Sequence, residues 1–147
     1  MEVTIFKNLV WDYTRKIVES IGCVFGPVSE NHGLTMLQTR IIMELHQCGA
    51  HSVGSLADST CVAGANISAM CKKLEGQGLV ERVRNKEDER VVLVALTRLG
   101  METAAEIDKS INNRMKQCLA DESDEALENM IKGLEKLNEL LQKMDRQ

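Results

Sequence analysis

Short polar and cationic side chains share one side of the stretch between residues 66 and 77. If this stretch is helical, the side opposite its apolar residues carries Asn66, Ser68, Ala69, Lys72 and Lys73. Amides and hydroxyls can pair with base edges, small side chains permit a close approach to a groove, and lysines bind phosphates. In isolation such a side is more typical of a solvated helix surface, so its meaning depends on the neighbouring elements.

A second group of cations follows in a segment that alternates like a β-strand. Arg82 and Arg84 fall on one face of that strand, because successive strand side chains point to opposite sides. Lys86 lies in the charged loop that follows. Arg90 is expected where the next strand begins, from which a guanidinium group can enter a narrow A·T-rich minor groove. Asp88 either forms a local ion pair that shapes the turn or orients Arg90 for DNA, and both roles can hold together.

These residues are positioned by a regular succession of elements between residues 52 and 100. The predicted elements are a helix opening at 53–58, a turn at 59–64, a helix at 66–77 ended by Gly78, strands at 79–84 and 91–96 around a charged loop at 85–90, and a helix at 98–119 capped by Thr97. Helix, turn, helix and hairpin is the pattern of a winged helix-turn-helix, which lays its second helix in the DNA major groove.

Three motifs in this region resemble the signature of the MarR family of transcription regulators. They are Leu79-Val-Glu-Arg82, Asp88-x-Arg90 and Leu96-Thr97-x-x-Gly100. The resemblance covers nearly the whole chain, and it implies that the arginine matching Arg90 contacts DNA. It also implies small ligands, often phenolic, that bind between the dimer helices and the DNA-binding part, without placing that pocket on residues. Asn85 and Lys86 stand where the family often has proline and aspartate, which predicts a differently shaped wing loop.

Composition fits a globular protein but not a strongly basic one. The 147 residues carry a net charge of −4, with 44% hydrophobic and 27% charged residues, enough to bury a core. The segment from Lys72 to Arg90 has six basic and five acidic residues, a local charge of +1. DNA binding therefore depends on where individual cations point, and nonspecific affinity is expected to be weak and strongly salt-dependent.

The sequence also indicates the compartment. No apolar run approaches the roughly 20 residues that cross a bilayer, and the N-terminus lacks the pattern of a signal peptide. Five cysteines without a Cys-x-x-Cys pair fit reduced thiols better than a disulfide framework. We therefore expect a cytoplasmic protein with no membrane partner.

The outer segments are expected to form a dimerisation layer. Apolar residues recur with helical spacing over 3–21 and 34–47, and a glycine- and proline-containing loop is predicted at 25–33. In the last helix, which Ser123 is expected to cap, apolar residues repeat close to a heptad. We expect one mostly α domain (α+β), with a winged helix-turn-helix at 34–100 and dimerisation helices at 1–24 and 101–147. Burial of these stripes within one subunit is the alternative.

Cysteine and histidine offer two further chemistries. Cys23, expected near the end of the first helix and beside a loop, is the first candidate for a redox sensor, since some members of the resembling family sense oxidants through a cysteine in that region. His46, Cys48 and His51 suggest a metal, but residues two apart on a helix face away from each other, so we expect none. The zinc-binding members of the family also use histidines on the helix after the wing, which 98–119 lacks.

Catalytic motifs are absent from the sequence. It has no Gly-x-Ser-x-Gly, no His-Glu-x-x-His and no phosphate-binding glycine loop. We therefore expect neither an enzyme nor a cofactor.

These observations predict a homodimeric DNA-binding regulator. It is expected to act as a repressor on a pseudo-palindromic operator of double-stranded DNA, and to be released by a small aromatic effector or by thiol modification. The alternative is a dimeric winged-helix module that binds a protein and not DNA.

Overall fold

The computed structural model describes residues 1–145. Within that range the chain forms six helices and one two-stranded antiparallel sheet, which confirms the predicted mostly α class. The elements are α1 (Val3–Asn31), α2 (Met36–Cys48), α3 (Val53–Thr60), α4 (Gly64–Gly76), β1 (Val80–Arg84), β2 (Val92–Leu96), α5 (Arg98–Leu119) and α6 (Asp124–Asp145). By its contacts the chain divides into two compact units, residues 1–111 and residues 112 onward.

The core of the first unit lies where α2, α3, α4 and the sheet meet. Its fully buried side chains include Ile41, Ile42, Leu56, Ile67, Leu74 and Val94. Removing one such side chain from water contributes about 1.5–3 kcal/mol to stability. This apolar contact holds the three helices and the hairpin in one arrangement.

The first helix is longer than the sequence predicted. The expected loop at 25–33 is wrong, because α1 continues through Pro27 and ends at Asn31. Proline removes one helical hydrogen bond, but burial of Val28 and Ser29 favours the helix, and Ser29 Oγ accepts a buried 2.8 Å hydrogen bond from Thr39 Oγ1 of α2. The chain turns only at Gly33, whose φ of +67° suits glycine.

The second helix starts with a cap that the sequence analysis missed. Thr35 Oγ1 accepts from the Gln38 backbone N–H at 3.2 Å, and Gln38 Oε1 accepts from the Thr35 N–H at 2.9 Å. This reciprocal pair is a capping box. It moves the start of the helix from the predicted residue 34 to Met36, while Gly49 ends it as expected.

The hairpin is the wing, residues 80–96, in which Val80 pairs with Leu96 and Arg84 with Val92. The segment before α3 pairs with the wing through an isolated bridge between His51 and Val94 of β2. Their two backbone hydrogen bonds measure 3.0 and 2.7 Å. The wing is therefore attached at its base to the segment that leads into α3.

The fifth helix begins against the start of the wing. Thr97 Oγ1 accepts from the Gly100 N–H at 3.0 Å, as predicted for a cap, and donates to the Gly78 carbonyl at 2.6 Å. A side chain at Gly100 would overlap the backbone carbonyl oxygen of Leu79. The Leu-Thr-x-x-Gly motif thus has a packing cause, since only glycine permits this approach.

We predict that Gly100→Ala lowers the free energy of unfolding by about 3 kcal/mol or more, because the added methyl group meets backbone that cannot move aside. Gly76→Ala is the matched control, since nothing lies within 4 Å of the position its Cβ would take. That variant is expected to gain about 0.4–1 kcal/mol. Urea denaturation at one chain concentration measures both, and equal stability of the two variants would contradict the packing account.

Candidate nucleic-acid interface

The fourth helix has one buried and one exposed side. Ile67, Cys71 and Leu74 are buried at intervals of four and three residues. On the opposite side Asn66, Ala69, Lys72 and Lys73 are exposed and Ser68 is half-buried. Within residues 1–145, none of the polar side chains in this second group makes a hydrogen bond or an ion pair. The helix therefore presents unoccupied donors and acceptors to its surroundings.

The turn that leads into α4 is tighter than predicted. Helix α3 continues to Thr60, α4 already begins at Gly64, and only residues 61–63 connect them. Cys61 takes the left-handed conformation with φ of +54°, and the buried Thr60 Oγ1 donates a 2.6 Å hydrogen bond to the Leu56 carbonyl. These contacts fix the direction in which α4 leaves α3.

The cysteine on α4 belongs to the core. Burial raises the pKa of the Cys71 thiol, with the Arg82 guanidinium acting in the opposite direction. A buried thiol with a raised pKa stays protonated and behaves as a small apolar side chain. Cys71 therefore stabilises α4 and is not a reactive group on the exposed side.

The wing loop is closed by side chains that accept backbone hydrogen bonds. Asn85 Oδ1 accepts from the Glu87 N–H at 2.9 Å, and Asp88 Oδ1 accepts from the Arg90 N–H at 3.0 Å. Both are Asx turns, which local Asn and Asp side chains form readily. Asp88 thus contacts the backbone of Arg90, and no Asp88–Arg90 ion pair occurs in the part of the chain that the structure describes.

The wing and α4 carry cations of two kinds. Arg82 Nε lies 3.5 Å from Glu75 Oε2, and Arg84 Nη1 donates to the Glu89 carbonyl at 2.8 Å. Four others are exposed and have no ion pair or side-chain hydrogen bond to any residue between 1 and 145: Lys72, Lys73, Lys86 and Arg90. The unpaired cations are the ones free to bind an anion without first losing a partner.

A family model described as "Transcriptional regulator SarA/Rot" matches residues 23–107, more than half of the chain. The chain belongs to the SarA/Rot family of transcriptional regulators. The matched region includes α2 to α4 and the whole wing. It therefore covers every residue of the exposed α4 side and every wing cation described above.

Known proteins similar to this chain are also named as regulators of transcription. The chain is 27% identical to the HTH-type transcriptional regulator FarR of Neisseria gonorrhoeae, over 84% of this chain and 86% of FarR. It is 25% identical to the homoprotocatechuate degradative operon repressor of Escherichia coli, over 76% of this chain and 75% of that protein.

Solved structures show the same fold. A MarR family protein from Bacillus stearothermophilus superposes with a TM-score of 0.79 at 22% identity, over 97% of this chain and 99% of that one. NadR, solved in complex with 4-hydroxyphenylacetate, gives a TM-score of 0.74 at 25% identity, over 84% and 88% of the chains. The resemblance to MarR regulators in the sequence motifs is therefore confirmed.

Cys23, the predicted redox sensor, lies outside the α4 and wing surface. It is exposed but lies within α1, two turns before the end of that helix, so its expected place beside a loop is wrong.

Between residues 1 and 145, no helix is both long and apolar enough to cross a membrane. The sequence analysis missed a cluster of Glu44, Cys48 and His51, which the i, i+4 spacing of the first two along α2 could have indicated.

We predict that Asp88→Ala weakens DNA binding by about two- to tenfold, because losing a hydrogen bond of about 0.5–1.5 kcal/mol frees the loop that holds Arg90. Asp88→Asn is the matched control, since it keeps an oxygen that can accept from the Arg90 N–H. It is expected to bind at least as tightly as the unmodified chain. Fluorescence anisotropy with labelled operator measures both, and equal weakening by the two variants would show that charge rather than loop shape matters.

Proposed function

We propose that this transcriptional regulator is a DNA-binding repressor that acts as a homodimer on a pseudo-palindromic operator. The observation that carries the proposal is the exposed side of α4, whose polar and cationic side chains have no partner in residues 1–145, together with the unpaired cations of the wing. Membership in a family of transcriptional regulators supports reading this side as a DNA surface. The net charge of −4 does not oppose it, because the cations are local.

In the major groove, the N-terminal half of α4 meets the bases. Asn66 and Ser68 pair with base edges, Ala69 allows close approach, and Lys72 and Lys73 bind phosphates. The N-cap residue Ala63 has no side-chain acceptor for the first N–H groups of α4. Those N–H groups suit a phosphate oxygen at the groove edge.

The wing meets the adjacent minor groove. Lys86 and Arg90 approach it first, since both are exposed and unpaired within the described chain. Arg82 and Arg84 bind phosphate by exchanging their present partners. The exposed Arg82–Glu75 pair contributes about 1 kcal/mol or less, so a phosphate can replace the carboxylate at small cost.

The dimer is supported by apolar side chains that the chain itself leaves exposed. None of the residues of α6 is buried, and Ile131 and Leu134 are 56% and 54% exposed. On α1, Trp11 is 79% exposed and Leu9 and Ile17 are exposed as well. Exposed apolar surfaces on two long helices are expected to be buried in an interface. A second copy of the chain, which has the same apolar stripes, can bury them symmetrically. The two-fold axis then matches two operator half-sites about one helical turn apart.

Repression follows if the bound dimer excludes RNA polymerase from a promoter. The similar protein of E. coli is named an operon repressor, and NadR was solved with 4-hydroxyphenylacetate. We propose that a small aromatic effector releases this chain from DNA. Such an effector must bind the free dimer more tightly than the DNA-bound one, because only differential affinity shifts the equilibrium.

For the DNA surface, we predict that Lys72→Ala and Arg90→Ala each lower operator affinity and reduce the slope of log K against log salt concentration by about 1. Arg98→Ala is the control, since Arg98 is a 91% exposed cation outside the proposed surface whose ion-pair partner, Glu102, lies on its own helix. The measurement is a gel shift or anisotropy titration at several salt concentrations, with the DNA upstream of the protein's own gene.

The rival function makes the opposite prediction in the same assay. If the winged fold binds a protein, the unmodified chain shows no salt-sensitive DNA binding, and Lys72→Ala and Arg90→Ala behave like Arg98→Ala. That result would exclude the DNA-binding proposal.

For the dimer, we predict that Leu134→Lys converts the protein to monomers, because it places a charge in the apolar seam of α6. Glu135→Lys, at the neighbouring exposed position, is the control and is expected to remain dimeric. Sedimentation equilibrium at micromolar concentration distinguishes them. A monomeric unmodified chain, or an unchanged mass for Leu134→Lys, would contradict the proposal.

Thiol modification is a second route of release. Cys23 is exposed on α1, within the proposed dimer layer, so a bulky adduct there changes how the two copies pack. We predict that alkylating Cys23 weakens operator binding, while a Cys23→Ser variant treated in the same way loses less affinity. Unchanged binding after complete modification of Cys23 would remove this route.

A further inference from the structure

Three metal-binding side chains meet at the corner between α2 and α3. Glu44 and Cys48 are four residues apart on α2 and therefore share one face of that helix. His51 follows the turn at Gly49, where φ is +81°. One ligand atom from each of the three residues lies within 4.8 Å of the other two. The chain thus brings a carboxylate, a thiol and an imidazole together at one point.

The imidazole has a buried nitrogen without a hydrogen-bond partner. His51 Nε2 is shielded from solvent and has no hydrogen bond to any residue between 1 and 145. It faces Glu44 Oε1 at 3.9 Å, which is too long for a hydrogen bond. The other ring nitrogen, Nδ1, lies 3.1 Å from Ser55 Oγ. Buried polar atoms are rarely left unsatisfied, so an orphaned nitrogen beside Glu44, in a cluster that also holds Cys48, requires an explanation.

We propose that Glu44, Cys48 and His51 bind one zinc ion per chain. Oxygen, sulfur and imidazole nitrogen are the donors that zinc uses, at bonds of about 2.0–2.3 Å. On binding, the Cys48 thiol releases its proton to solvent, and the thiolate, the carboxylate and the Nε2 lone pair each donate to the ion. A water molecule completes four-coordination. Contraction of the cluster by about 1 Å satisfies these bond lengths, and Cys48, exposed at the surface, gives the ion its entry path.

The surroundings of His51 suit a ligand. In the tautomer whose Nδ1–H donates to Ser55 Oγ, the Nε2 lone pair is available to a metal ion, and a second hydrogen bond of this kind normally orients a metal-bound histidine. His46 is not part of the cluster. Glu44, one helical turn before Cys48, shares a helix face with it, which His46 does not.

Zinc at this corner connects to the wing and to α3. The His51 backbone makes both hydrogen bonds to Val94 of β2, and the adjacent Ser52 Oγ accepts from the Ser55 N–H as the N-cap of α3. An ion on His51 therefore restrains the base of the wing and the start of α3 together. A dependence of DNA affinity on zinc follows, and this consequence alone rests on the proposed function.

The test titrates the full-length reduced protein with Zn²⁺ in competition with a chromophoric chelator, and with Co²⁺ as a spectroscopic probe. We expect one ion per chain, and a thiolate-to-cobalt charge-transfer band with the intense d–d bands of four-coordinate cobalt. Cys48→Ser is expected to lose the charge-transfer band and to weaken zinc binding by at least about 100-fold, more than loss of an outer partner costs. His46→Ala and Cys61→Ser are matched controls on a nearby histidine and an exposed thiol, and both are expected to bind like the unmodified chain.

A second variant, Glu44→Gln, keeps the shape of the side chain. We expect this variant to bind zinc more weakly while it retains the charge-transfer band. Circular dichroism checks that each variant is folded. The proposal is overturned if the unmodified chain does not bind one zinc, if Cys48→Ser binds as tightly as the unmodified chain, or if His46→Ala and Cys61→Ser lose affinity equally. Because no DNA is present, failure of this test leaves the proposed DNA binding unaffected.

Discussion

Burial of one side of α4 is the constraint on which the candidate interface depends. Ile67 and Leu74 alone contribute about 3–6 kcal/mol by leaving water. Rotating α4 by one residue turns it by about 100° and would expose both while burying Lys72 or Lys73. A buried lysine without a partner costs several kcal/mol. The core therefore dictates which side of α4 faces outward, and the chemistry of that side follows.

The base and the tip of the wing are held by different kinds of contact. At its base the His51–Val94 backbone pair and the 3.1 Å hydrogen bond from Thr97 N–H to the Leu79 carbonyl join it to α3 and α5. At its tip the contacts are local: the Asx turns of Asn85 and Asp88 and the hydrogen bond from Arg84 Nη1 to the Glu89 carbonyl. The base of the wing therefore depends on neighbouring elements, whereas the shape of its tip depends on its own residues.

Where local signals and burial agree, sequence predicted structure well. α5 has the bounds expected, and both Thr97 and Ser123 accept the capping hydrogen bonds predicted for them. The apolar period of α4 indicated which of its sides is buried. These elements carry strong local signals, and the fold reinforces them.

The features that the sequence did not predict correctly share one physical cause. Each depends on a contact between residues that are distant in the sequence, which a local sequence pattern does not reveal. Pro27 indicated a loop, but burial of Ser29 against Thr39 outweighs one lost helical hydrogen bond. The spacing of Glu44 and Cys48 indicates only a shared helix face, because the cluster also depends on His51 returning to the same corner after Gly49. For the same reason sequence identified the cations of the wing but not which of them are already paired, since Arg82–Glu75 joins two different elements.

The most direct test of the central claim is hydroxyl-radical footprinting of the full-length protein on the DNA upstream of its own gene. The account predicts two equivalent protected regions about one helical turn, 34–36 Å, apart, each extending from a major groove into the neighbouring minor groove. Replacing Asn66 with alanine should remove the preference for that sequence while the spacing persists at low salt. Protection of a single region, or none above that seen with unrelated DNA, would contradict the account.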